Sequence, residues 1–392
     1  MQQPLLDAPR DAWLVYADYL QEQSDPRGRL ILLNEQVAAG GDPGERDAWL
    51  ATHFGALFGN LRADRVEAAW TYCVPTTVSV LVDEDEDAAA TVEPLFDAPA
   101  AASMRRLRLV GRTPGGRVCD LSSAVARVAA ALPETCTALE LVDARAERAR
   151  VLVSSDYEPG PNLVEFGPIA VAAAIPSLHE LRVVTSDVEQ IDLTDVDAPS
   201  LRHFALQCLR WAEAYGDGPN LGQILAAARW PQLRRLALRI PETWTYSWPS
   251  VEGAYVPDSR YAEESDYYEV DEDGWSEPFD WGGELGPLLQ ALVNTPIEHL
   301  ALTSFGSSGP LLQGLVDQGL PATLRVLDLS DSDVSDSDVS TIVDNAATFA
   351  NLDLLDLRGT FVTRADAFAT LAPTVRVEPG QGHRYQFSVG ME

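Results

Sequence analysis

The chain has 392 residues, 46% hydrophobic and 22% charged, with 60 acidic side chains against 28 basic ones and a formal net charge of −32. That much apolar material excludes a wholly disordered chain, and the length admits two or three domains or one long repeat array. Every basic residue is an arginine, and the acidic balance argues against a nucleic-acid surface, which needs clustered cations. The four cysteines, Cys73, Cys119, Cys136 and Cys208, have no CxxC spacing and read as buried thiols. The N-terminus lacks a basic n-region and an apolar h-region. No stretch of about 18 apolar residues follows, so a soluble, cytoplasmic protein with no membrane partner is expected.

In chain order, Trp13, Tyr16, Ala17 and Leu20 fall on one face of a helix, and Asp25-Pro26-Arg27-Gly28 forms a turn before a second apolar helix over Leu30 to Val37. Further helices are expected over Pro43 to Phe58 and Ala63 to Ala69, then a strand over Thr77 to Val82. The stretch DAWLVYADYLQEQSDPRGRLILLNEQ, with the later ATHFGALFGNL, resembles the bacterial repeat-companion domain of planctomycete and myxobacterial proteins. Tyr19 stands where that family has Trp. The resemblance covers about residues 5 to 80 and implies a helical module that precedes a repeat array, with no general activity attached. Residues 1–82 are therefore expected to form an N-terminal helical cap, because terminal repeats need a polar lid.

Beyond it, the pattern L-x-x-L-x-L recurs at Met104-Leu107-Leu109, Cys136-Leu139-Leu141, Leu178-Leu181-Val183 and Leu201-Phe204-Leu206. It continues at Leu233-Leu236-Leu238, Ile297-Leu300-Leu302, Leu324-Leu327-Leu329 and Leu352-Leu355-Leu357. Apolar helical segments lie between, among them Leu121-Val125-Val128-Leu132, and prolines stand near their exits. The last two units, LRVLDLSDSDVSD and LDLLDLRGTFVT, resemble the leucine-rich-repeat family, with Ser332 and Thr360 where that family has Asn. A hydroxyl must then satisfy the turn backbone. The expected fold class is α/β: a leucine-rich-repeat solenoid of about eight units over 83–375, with a curved parallel sheet, helices on the convex side and a C-terminal cap at 376–392.

One spacing is far longer than the others and contains an insertion at 241–283. It holds ten aromatics, twelve carboxylates and one basic residue, Arg260. Disordered acidic linkers are poor in aromatics, whereas Trp and Tyr dominate binding hot spots. Trp244, Tyr246, Trp248, Tyr255, Tyr261, Tyr267, Tyr268, Trp275 and Trp281 are accordingly candidate partner contacts, or alternatively a cover folded onto the solenoid. The strand positions beside the core leucines add Arg106, Arg108, Arg182, Arg235 and Arg239 as concave contacts, mixed with Glu140, Glu180, Asp328, Asp356 and Arg358. Acid runs such as Asp83 to Asp87 and Asp331 to Asp338 are expected along one rim, where they would steer a basic protein.

No HExxH, GxSxG or P-loop is present, and the five histidines have no ligand spacing. Glu269, Asp271, Asp273, Gly274 and Asp280 fit a calcium loop poorly, with Pro278 intruding. The reading is a non-enzymatic protein-interaction scaffold without cofactors, whose partner is another protein of basic character. An acidic inhibitor or immunity-type protein masking a basic toxin or enzyme is the first alternative; a calcium-dependent or enzyme-associated regulatory module is the second. Codon bias with an acid-rich composition accounts most simply for the absent lysines, and a link to a lysine-modifying system is the other account.

Overall fold

The structure is a computed structural model, and it describes residue 4 and residues 6–148, 164–187, 191–210, 221–240, 280–306 and 308–378. It divides into two compact units. The first comprises residues 1–209, 227–238 and 295–299; the second comprises 210–226, 239–294 and 300–392.

The first unit opens with helices α1 (Arg10–Glu22), α2 (Arg27–Ala38) and α3 (Gly44–Phe58). Trp13, Tyr16, Ala17 and Leu20 are buried along one stripe of α1, as the 3.6-residue period requires. The turn to α2 is built by its own sequence. The Asp25 carboxylate accepts the Arg27 backbone N–H at 2.9 Å and the guanidinium Nη2 at 2.6 Å, and hydrogen bonding to Arg27 holds its carboxyl below the usual range. Gly28 then lets the helices close: a Cβ there would stand 2.7 Å from the Ala17 carbonyl.

Two strands follow, β1 (Val66–Thr71) and β2 (Val74–Asp83), paired antiparallel. The expected helix over Ala63 to Ala69 is corrected to a single 3₁₀ turn, Ala63–Arg65, that leads into β1. In β1, Val66 and Ala68 are half-buried while Glu67 and Ala69 are exposed, a period of two, and β2 supplies the backbone partners. The hairpin turn places Tyr72 at φ 56°, where its ring stacks on Trp13 with centroids 4.5 Å apart and its carbonyl accepts from Asn34.

From β2 onward each strand is followed by a crossing segment and a parallel strand. These are α4 (Ala88–Phe96), β3 (Arg106–Arg112), a short β4 (Cys119–Asp120), α5 (Ser122–Ala131), β5 (Ala138–Asp143), α6 (Ala144–Arg148) and β6 (Val164–Glu165). Then come α7 (Ile169–Ala173), β7 (Glu180–Asp187), β8 (His203–Arg210) and β9 (Arg235–Arg239). The strand order is β1-β2-β3-β5-β7-β8-β9, so successive repeats are neighbours and only the β1–β2 pair is antiparallel among the pairings with a described register. At the strand entrances the N–H of Thr137 bonds to Arg105, His179 to Thr137, Arg202 to His179 and Arg234 to Arg202, at 2.8 to 3.0 Å. The leucines of L-x-L, including Leu107, Leu109, Leu139 and Leu141, are fully buried on one face with Val92, Leu95 and Val128 of the helices.

The second unit contains α8 (Leu221–Ala227), α9 (Trp281–Leu292), β10 (His299–Thr303), α10 (Ser308–Gln318), β11 (Val326–Asp328), α11 (Val339–Asp344), β12 (Leu354–Asp356) and β13 (Thr374–Arg376). Its strands run in the order β10-β11-β12-β13, with β11, β12 and β13 parallel. The helices approach backbone to backbone through glycine: a Cβ on Gly314 of α10 would stand 2.7 Å from the Cα of Gly282 in α9.

The architecture is an α/β leucine-rich-repeat solenoid. The expectation for its asparagine-less turns holds in atomic detail. The Ser332 hydroxyl, 1% exposed, accepts the Phe305 N–H at 3.1 Å and donates to the Leu302 carbonyl at 3.2 Å, tying its turn to the preceding repeat. Thr360 donates to the Leu357 carbonyl at 2.7 Å. The expected C-terminal cap lies outside the described residues from residue 379 onward, as does the segment from residue 149 to 163.

Candidate functional site

The strands β2, β3, β5 and β7 have one face packed under helices and one that carries the residues between the leucines. On this open face the register sets side chains in rows. Ser79, Arg108, Glu140 and Arg182 form one, Thr77, Arg106, Ala138 and Glu180 the next, and Leu81, Val110, Val142 and Val184 a third.

Glu140 is the hub of the charged rows, only 5% exposed. It accepts from the Arg106 guanidinium and from Arg108 Nε at 2.9 Å, and Arg182 Nη1 lies 3.4 Å away. Burial alone would raise the Glu140 carboxyl; hydrogen bonding to Arg106 and the charges of Arg106, Arg182 and Arg108 hold it below the ordinary range instead. Arg106 also reaches Glu180 at 2.9 Å, and Arg182 reaches Gln207 Oε1 at 3.4 Å. His203 stands 4.0 Å from Glu180. Its burial, only partly opposed by Glu180 and reinforced by Arg235 and Arg106, keeps it below the usual imidazole range. The structure thus brings Arg106, Arg108 and Arg182 into one ion-pair network. Arg235 is exposed on β9, and Arg239, at the end of that strand, is half-buried in the second unit.

Two elements of this face escape the motif reading. Asp143 is fully buried at the end of β5, where it accepts the Arg145 N–H at 2.8 Å and the Ser186 hydroxyl. That turn sends α6 back over the valine row, with Ala146 at 0% exposure, and Glu147 of α6 binds Arg108. A signal exists in the sequence. LRLVG, LELVD and LRVVT each place a valine at an open-face position where the later strands have Gln207, Arg239, Thr303, Ser330 and Arg358. An apolar residue on an otherwise polar face marks a covered place.

Of the aromatic candidates in the insertion, Trp244, Tyr246, Trp248, Tyr255, Tyr261, Tyr267, Tyr268 and Trp275 lie outside the described residues, as does the trial calcium loop apart from Asp280. Trp281 is corrected. It begins α9 fully buried, with its ring edge-on to Phe305 at 4.6 Å, and Asp280 caps the helix by accepting the Gly283 N–H at 2.9 Å. It is a core residue of α9.

The acid runs within reach of description are engaged locally. Asp83 takes Arg112 at 2.7 Å and Arg65 at 2.5 Å, Glu86 takes Arg65 at 2.7 Å, and Glu84 accepts the Arg117 N–H at 3.1 Å. Asp338 accepts the Ser335 N–H and hydroxyl at 2.9 Å, and Asp336 accepts the Thr363 N–H at 2.8 Å, so both serve as turn residues. Among the described residues no group of three or more His, Cys, Asp or Glu is placed to hold a metal ion. All four cysteines are buried and free, and burial pushes the Cys73, Cys119 and Cys136 thiols up to about 11, away from nucleophilic use. No helix among the described residues is long and apolar enough to cross a membrane.

No family model and no curated protein matches the chain. Solved structures that it resembles include a protein of Bacteroides fragilis, at 12% identity over 76% of this chain and 74% of that one, with a TM-score of 0.48. The leucine-rich repeat-containing protein LegL7 of Legionella pneumophila is 14% identical over 71% and 74%, with a TM-score of 0.37. An internalin of Listeria monocytogenes is 13% identical over 77% and 86%, with a TM-score of 0.24. At such values no function transfers, and the fold assignment rests on the strands and registers above.

Proposed function

We propose that the chain is a non-enzymatic protein-interaction scaffold in which residues 1–82 form a repeat-companion cap. The partner is held by the open sheet face, through Arg106, Arg108, Arg182, Arg235 and Arg239, and by the aromatic, acidic insertion, through Trp244, Tyr246, Trp248, Tyr255, Tyr261, Tyr267, Tyr268 and Trp275. The observation that carries the reading is the open face itself: a charged network on rigid, register-locked strands, presented beside a shallow floor of half-buried Ala205 and Ala237. Preordered side chains lose little entropy on binding and so suit recognition. The N-terminal hairpin supports the cap reading, since β1 pairs antiparallel at the edge of the first unit's sheet while α1 and α2 seal it through Trp13 and Asn34. A basic partner remains part of the proposal for the insertion, whose twelve carboxylates accompany one arginine.

The test is affinity capture from host lysate with the intact chain and with one in which residues 243–278 are replaced by a Gly-Ser linker. The replacement stops short of Asp280 and Trp281, which belong to α9. Loss of a specific partner from the shortened chain, with an unchanged circular-dichroism spectrum, is expected. Identical partners from both chains would remove the insertion from the recognition surface.

A further inference from the structure

The open face of the first unit already holds an occupant, and that occupant shows the chemistry the face accepts. Leu81, Val110, Val142 and Val184 stand in one row across four strands. Over them lies α6, five residues long, which contributes only Ala144 and Ala146 to the apolar contact. Glu147 of α6 is ion-paired with Arg108. The two small side chains bury little area of their own, and α6 is held at its start by the Asp143 turn and by direct continuity with β5, which keeps its local concentration high.

The surrounding charge is the reverse of the molecule's. In a chain of net charge −32, the open face of β2, β3, β5, β7, β8 and β9 within the first unit sets five arginines, Arg106, Arg108, Arg112, Arg182 and Arg235, against three carboxylates, Asp83, Glu140 and Glu180. Arg235 is exposed and has no ion pair among the described residues. Glu147 offsets part of this surplus, on an arginine whose side chain is 20% exposed and so still reaches solvent.

We propose that this strip is a recognition site for a carboxylate-bearing protein segment with small side chains beside its acid, and that α6 is its resident occupant. A glutamate or aspartate of the partner takes the place of Glu147 on Arg108, while neighbouring alanine-sized residues replace Ala144 and Ala146 on the valine row. This deepens the scaffold reading: it assigns the open face an acidic segment of the partner, and it makes entry competitive with the chain's own helix. Occupancy of the site is then set by the fraction of molecules in which α6 has lifted.

The probe is a fluorescein-labelled peptide of alternating alanine and glutamate, titrated with the full chain and followed by fluorescence anisotropy. Glu147→Gln removes the ion pair of the occupant at an exposed position, and binding is expected to tighten several-fold. Arg108→Gln is expected to weaken it about tenfold and to flatten its dependence on salt. Equal affinity of the Glu147→Gln and unmodified chains, no binding to the Glu147→Gln chain, or undiminished binding to a folded Arg108→Gln chain would each overturn the proposal. The first two outcomes do not depend on whether the Arg108 variant folds. The linker replacement of 243–278 leaves this site intact, so a failed capture experiment with retained peptide binding counts against the insertion alone.

Discussion

Glu140 on β5 accepts a hydrogen bond from Arg108 on β3 at 2.9 Å, across neighbouring strands. Arg182, from the strand on the other side, lies 3.4 Å from the same oxygen. A carboxylate so nearly excluded from water is sustained only by its cations, and they in turn are kept from repelling one another. Glu140→Gln leaves three guanidiniums around a neutral amide. It is expected to cost about 3 kcal/mol, at the low end for breaking a buried pair because the arginines retain solvent contact. Urea unfolding of the two chains measures the difference.

The same residue gives a pH signature. Its carboxyl is held below its ordinary value of 4.5 in the fold, so the unfolded chain takes up the proton first as the solution is acidified. The stabilisation is complete above that value and is lost as pH falls from it through the folded-state value. The stability gap between the native chain and Glu140→Gln is therefore expected to be constant from neutrality to about pH 5 and to close below it. A gap that widens in acid contradicts the assignment.

Ser332 replaces two backbone partners at once, and neither has water as a substitute at 1% exposure. Ser332→Ala strands the Phe305 N–H and the Leu302 carbonyl, at an expected cost of about 2 kcal/mol. Thermal unfolding reads it, and Ser332→Thr, which keeps the hydroxyl, should recover part of the loss.

Trp281 is the fourth case. Truncation to alanine is expected to cost about 4 kcal/mol, as for other large buried rings, because the fully buried ring packs on Phe305 and its removal leaves a cavity. A chain that melts unchanged after Trp281→Ala would mean that the ring is not packed in the core.

The repeats were legible because burial on one face of a strand imposes a fixed spacing: Leu107 and Leu109, Leu139 and Leu141 could only be inward pairs. The turn hydroxyls followed from the same register. The strand at Val66–Thr71 was not legible. Its alternation is half-buried rather than apolar, and alanines at 68 and 69 favour a helix until β2 is present to pair with. Trp281 was misread because composition alone cannot tell where an aromatic segment ends and the next core helix begins; Asp280 two residues before Gly282 was the available cap signal. The open-face arginines were read as a list of charges, whereas their role depends on which carboxylate each meets across strands. Glu140 shares its row with Arg108 and Arg182 through pairing that no local pattern encodes.

The order β1-β2-β3-β5-β7-β8-β9 also sets a direction in time. Its first pairing is a two-residue hairpin, the least demanding loop to close, and each later strand adds to a neighbour made before it. During synthesis no strand of this sheet from β2 onward has to wait for a partner still inside the ribosome, so the hairpin can serve as a template for the strands that follow.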